Sequence, residues 1–152
     1  MSYVTLPQQP SPSPSFVLVV DDEYLIRDLL RRVVQQLGLG VHYAADGAAA
    51  ISAVEAQRDA LACVIMDVVM PVMHGIAAAQ IIQTRAPQLP IVLMSGAIPE
   101  MYQAQLAPLR LAGFLAKPFS LTAVRDLIGG AVDSRQRMTH SELPTHAAAA
   151  LP

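Results

Sequence analysis

Tryptophan is absent from this 152-residue chain, cysteine and lysine occur once each, and aromatic residues make up only 5% of it. The single cysteine, Cys63, rules out a disulfide within the chain. Its place in the apolar run over residues 60–66 reads as a buried thiol, which suits a reducing compartment. Basic residues are not massed anywhere: the formal charge is -2 and the arginines are scattered, so no surface is set aside for phosphate backbones and direct nucleic-acid binding is not expected. No uninterrupted apolar run reaches the roughly 18 residues a membrane span needs, despite a mean hydropathy of +0.42. Residues 1–15 carry no positive charge and no long apolar stretch, so they make a poor signal peptide. These absences leave the expectation of a soluble cytoplasmic protein.

What is present is a core-forming composition, 53% hydrophobic, in a chain long enough for one ordinary domain. Prolines at 7, 10, 12 and 14 alternate with Ser and Gln, so residues 1–15 read as a flexible arm and the fold is expected to begin at Phe16. Short, largely β-branched runs at 16–20, 63–66 and 91–94 have the character of buried parallel strands, with weaker candidates at 41–45 and 113–116. Between them lie helical spacings. The clearest carries Ile26, Leu29, Leu30, Val33, Val34 and Leu37 on one face and Arg27, Asp28, Arg31, Arg32 and Gln35 on the other, ending at Gly38. Residues 48–57, 76–85, 99–109 and 121–132 give four further helical candidates. Strand and helix thus alternate five times, which predicts a single α/β domain over 16–132 with helices on both faces of a parallel sheet, followed by a flexible tail at 133–152.

In such a sheet ligands collect at the carboxyl ends of the strands. There the sequence puts Asp21 and Asp22 after the first strand, Asp67 after the third, Ser95 after the fourth, and Lys117 with Pro118 after the fifth. Three converging carboxylates cost free energy when all are ionised, and a hard divalent cation relieves this; Mg²⁺ is the natural candidate because it takes a few carboxylates together with phosphate oxygens and water. An oxygen of Asp67 would then be free to attack phosphorus, with Lys117 drawing charge off the transferring group and no separate general base required. Lys117 is also the only lysine among ten basic residues, standing where a compact ammonium is wanted. Each residue has an ordinary reading when taken alone: Asp21 and Asp22 as helix caps, Asp67 as a turn residue, Ser95 with Gly96 as a loop pair, Phe114 as core.

Val-Val-Asp-Asp-Glu at 19–23, Met-Asp-Val-Val-Met-Pro at 66–71 followed by Gly75, Met-Ser-Gly at 94–96 and Lys-Pro-Phe at 117–119 together resemble the receiver domain of bacterial two-component response regulators. The resemblance implies a flavodoxin-like (βα)5 fold with strand order 2-1-3-4-5 and a cis peptide before Pro118. It implies Asp67 as phosphoacceptor, Asp21, Asp22, Asp67 and the Val69 backbone carbonyl as metal ligands, and Ser95 and Lys117 as partners of the phosphoryl oxygens. It also implies a switch through Ser95 and Phe114 that alters the surface of the fourth helix, fifth strand and fifth helix. Partners would be a sensor histidine kinase or a histidine phosphotransfer protein upstream and a protein target downstream, with phosphorylation-dependent homodimerisation as a further option. Such a domain catalyses only its own phosphorylation and dephosphorylation.

Departures from the commonest pattern carry expectations too. Val69 and Ala97 offer no polar side chain to position a hydrolytic water, so self-dephosphorylation should be slow. His74 replaces the frequent acidic residue before the glycine, a change expected to alter only the loop surface. An aspartyl-phosphate phosphohydrolase would use an Asp-x-Asp nucleophile pattern and a cap segment, neither of which is seen, and no P-loop is present. A receiver-like interaction module that is never phosphorylated is the other rival, opposed by the intact set Asp22, Asp67, Ser95 and Lys117. No effector domain is read after Val132, so the output is expected to be binding to another protein unless the chain is a piece of a longer one.

Overall fold

The computed structural model describes residues 14–98 and 100–141. Five strands, β1 (Phe16–Val20), β2 (Gly40–Ala44), β3 (Leu61–Asp67), β4 (Ile91–Ser95) and β5 (Gly113–Ala116), form one parallel sheet in the order β2-β1-β3-β4-β5. Helices α1 (Tyr24–Gln36), α2 (Gly47–Gln57), α3 (Gly75–Arg85), α4 (Gln103–Leu106) and α5 (Leu121–Ser141) follow the strands in turn, giving the expected flavodoxin-like α/β fold. Period-two alternation divides the strand side chains between two cores. Leu18, Val20, Val64, Met66, Ile91 and Leu93 face α2 and α3, meeting Ala50, Val54, Ile76, Ala79 and Ile82. Val17, Val19, Ile65, Val92 and Met94 face α1 and α5, meeting Leu30, Val33, Val34, Val124 and Ile128. A register shift between Phe16 and Val17 against β3 interrupts the alternation, and Ala62 and Cys63 consequently share one core. Cys63 is fully buried, and that burial pushes its thiol up to about 12.

Three boundaries differ from the sequence reading. The chain joins the fold one residue before Phe16: Ser15 donates to Ala60 O at 3.0 Å and accepts from Gly40 N at 2.9 Å. The rest of the expected arm, apart from buried Pro14, lies outside the described residues. The helix expected over 99–109 is a 3-10 turn (Glu100–Tyr102) and a single helical turn, α4. Pro108 lacks the N–H that would carry the ladder onward, so the helical spacing read over 99–109 is realised only in part. At the other end, α5 continues through residues 133–141, which the sequence assigned to the tail; residues 142–152 lie outside the described part. Arg135 is buried on this extension, one turn beyond buried Ala131 and Val132, so its inner face packs even though its outer face reads as polar. Gly129 and Gly130 stand in the middle of α5, and a Cβ at either would meet nothing within 4 Å.

Candidate functional site

The connections leaving β1 and β3 run to opposite faces of the sheet and leave a crevice at the carboxyl ends of these two strands, the place where the order of connection reverses. Asp21 and Asp22 stand directly after β1, Asp67 ends β3, Ser95 ends β4, and Lys117 follows β5. The fold therefore brings together all five residues singled out from the sequence. Asp21 is fully buried, Asp67 and Ser95 nearly so, and Asp22 is exposed. One carboxylate oxygen from each of Asp21, Asp22 and Asp67 lies within 4.8 Å of the others. This is a hard, all-oxygen donor set, open to solvent at Asp22, and it fits a hard divalent cation.

Lys117 spans the crevice. Its Nζ lies 3.3 Å from Asp21 Oδ2 and 3.4 Å from Asp67 Oδ2. The second oxygen of Asp21 accepts from Glu23 N at 2.8 Å, so Asp21 is held from both sides, and Arg27 Nη1 donates to the Asp21 carbonyl at 2.9 Å. Neither aspartate caps α1, whose N-cap position is Glu23; the capping alternative for Asp21 and Asp22 does not apply. Burial pushes the Asp67 carboxyl above its ordinary 3.8, and the charge of Asp21 adds to the effect, while Lys117 and the Val69 backbone oppose it. Burial alone would lower the Lys117 ammonium, but Asp21 and Asp67 together hold it above 10.5, so it stays charged through neutral pH. The peptide between Lys117 and Pro118 is cis, as the resemblance implied.

Ser95 Oγ donates to Ala97 O at 2.6 Å. Phe114, expected as core when read alone, is instead 39% exposed on the edge strand β5. Val69 is exposed in the loop from β3 to α3, and Val72 in the same loop has φ 67, the left-handed region that β-branched residues avoid. Gly75 closes the loop against the strand. Its N–H donates to Val68 O at 2.8 Å, and a Cβ there would lie 2.1 Å from Asp67 O, so only glycine fits. His74 was expected to affect only the loop surface, but it does more. Its Nδ1 accepts from Ala77 N at 3.2 Å, capping α3, and its ring packs on that of Tyr102 with centroids 4.4 Å apart. The capping role had a sequence signal, a residue with an acceptor side chain directly before the helix; the ring contact joins residues far apart in sequence and had none.

A family model described as "Response regulator receiver domain" matches residues 17–129. Over 113 residues the chain is 38% identical to the autoinducer 1 sensor kinase/phosphatase LuxN of Vibrio campbellii, covering 74% of this chain and 13% of that protein. It is 31% identical over 113 residues to the probable transcriptional regulatory protein TcrX of Mycobacterium tuberculosis, covering 73% of this chain and 47% of that one. The chain thus spans less than half the length of either relative. Among solved structures, the chemotaxis response regulator CheY4 of Vibrio cholerae superposes with a TM-score of 0.65 at 27% identity, covering 77% of this chain and 98% of that one. With the strand order, the acidic crevice and a family match spanning all five strands, the chain belongs to the response regulator receiver domain family.

Proposed function

We propose that Asp67 is the phosphoacceptor of a two-component phosphorelay, taking a phosphoryl group from the histidine of a sensor kinase or phosphotransfer protein. The observation that carries this reading is Lys117 Nζ standing between Asp21 and Asp67 beside three clustered carboxylates. An Asp67 oxygen forms the new bond to phosphorus as the bond to the donor nitrogen breaks, and the ammonium of Lys117 is already in place to pair with a phosphoryl oxygen. Asp21, Asp22, Asp67 and the Val69 carbonyl would hold Mg²⁺, which when bound offsets the charge of the carboxylates and of the incoming phosphoryl oxygens. Ser95 would exchange Ala97 O for a phosphoryl oxygen, and Phe114 would turn inward behind it, altering the surface of α4, β5 and α5. That surface would then bind a protein target or a second copy of the chain.

The similarity to a stretch of a sensor kinase/phosphatase and to a probable transcriptional regulator supports a histidine kinase as the upstream partner. No helix among the described residues is long and apolar enough to cross a membrane, which accords with action in the cytoplasm. The test is incubation with acetyl phosphate or phosphoramidate, with and without Mg²⁺, followed by intact-mass measurement beside Asp67→Ala. A Mg²⁺-dependent gain of one phosphoryl group in the native chain only is expected. A chain that neither gains it nor binds beryllofluoride would be an unphosphorylated interaction module instead.

A further inference from the structure

Two contacts outside the carboxylate–lysine cluster tie the stretch after β4 to the rim of the site. The first is the hydrogen bond from Ser95 Oγ to Ala97 O. The second is the ring of Tyr102, the last residue of the 3-10 turn before α4, which lies against the imidazole of His74 with the planes inclined by 32°. Because His74 Nδ1 accepts from Ala77 N, the neutral ring carries its proton on Nε2 and is fixed in orientation at the start of α3. The next residue, Gly75, is pressed against the Asp67 carbonyl. His74 therefore sits one residue from backbone contact with Asp67 while its ring holds the segment that leads into α4.

We propose that the His74–Tyr102 contact is a latch that couples phosphorylation of Asp67 to the position of the turn before α4. The proposal rests on the receiver reading above. Ser95 must leave Ala97 O to reach a phosphoryl group, and Tyr102 follows Ala97 five positions along the chain, so a shift at Ala97 is coupled to the ring contact. A contact made better in the resting arrangement biases the equilibrium toward it, and linkage runs both ways: a partner that draws Tyr102 off His74 promotes phosphoryl uptake.

Substitutions separate the latch from the helix cap. His74→Asn keeps an acceptor for Ala77 N and removes the ring; His74→Phe keeps a ring and removes the acceptor. Tyr102→Leu removes the ring partner, and Tyr102→Phe keeps it. Amide hydrogen exchange over residues 101–106 is measured without phosphodonor, and phosphoryl uptake from acetyl phosphate is measured with Mg²⁺. His74→Asn and Tyr102→Leu are each expected to speed both by about two- to tenfold, the range an ordinary aromatic pair supplies. The double variant should add little to either single one, whereas Tyr102→Phe should match the native chain in both measurements and His74→Phe should match it in exchange over 101–106. Unchanged exchange in Tyr102→Leu, or independent effects in the double variant, would overturn the latch. Absence of both uptake and beryllofluoride binding in the native chain would overturn the phosphoacceptor reading and the coupling with it, while native uptake left unaltered by both ring-removing variants would overturn the latch alone.

Discussion

Val72 occupies a backbone conformation that costs an L-residue about 1–2 kcal/mol and a β-branched one no less. Its side chain is 84% exposed, so packing returns nothing for the strain. Val72→Asn should therefore raise the free energy of unfolding by about 1 kcal/mol, read as a higher urea midpoint at unchanged slope, since asparagine tolerates this region well. A lower midpoint would mean the valine makes a contact that its exposure hides. Val69, in the same loop, bears on chemistry. With Val69 and Ala97 both apolar, no side chain at those positions orients water toward an aspartyl phosphate, so the phosphorylated form should outlast a time scale of seconds. Val69→Asn should shorten its lifetime roughly tenfold by positioning that water, measured as loss of the phosphoryl mass after the donor is removed.

At the scale of elements, α5 combines a buried inner face with two glycines at its centre that nothing in the packing requires. Each glycine in a helix interior costs about 1 kcal/mol relative to alanine, so Gly130→Ala should stabilise by that amount and Gly129→Ala by slightly less where the helix is half-buried. Thermal midpoints of the two variants check this; a fall in either would show that the helix needs to bend there. The same helix shows what the sequence concealed. Its continuation beyond Val132 was not legible because residues 133–141 read as polar, and the burial of Arg135 depends on tertiary placement. By contrast β1 and β5 were legible to the residue, since β-branched or apolar runs bounded by Asp, Gly or Lys-Pro leave little freedom in where a buried strand ends. α4 was overestimated because Tyr102, Leu106 and Leu109 recur at helical spacing and do pack on the core, while Pro108 stops the helix short of Leu109.

For the whole molecule, the convergence of the five candidate residues on one rim was legible because order along the chain and position at strand ends are both sequence properties. Their mutual contacts were not: the bridging of Asp21 and Asp67 by Lys117 and the bond of Ser95 to Ala97 O depend on how the strand ends are set side by side in the folded sheet. The crowding also shapes how stability varies with pH. Burial, then the charge of Asp21, place the folded Asp67 above its ordinary 3.8, so the folded chain binds its proton more tightly than the unfolded chain just above that pH. Stability accordingly falls as pH rises through that window, and the penalty is fully present at neutral pH. Lys117 acts in the opposite sense, but its contribution is intact below 10.5 and does not vary there. Asp67→Asn should raise the thermal midpoint at pH 7, with the gain shrinking on acidification. A gain that grows with acidity would contradict the assignment.

Lys117 is the only side-chain primary amine in the chain, and it is 20% exposed in the crevice. An amine-directed acylating reagent, or an acetyltransferase, accordingly has one side-chain target in the entire protein, and that target stands between Asp21 and Asp67 in the carboxylate crevice. Acylation would discharge the nitrogen and dissolve both of its ion pairs at once. Mild acetylation should add a single acyl group besides any at the α-amine and abolish phosphoryl uptake in proportion to its extent; uptake undiminished in the acylated fraction would contradict this. The scarcity of lysine thus makes covalent labelling a direct gauge of whether the crevice is open, metal-bound or phosphorylated, without a reporter group being introduced.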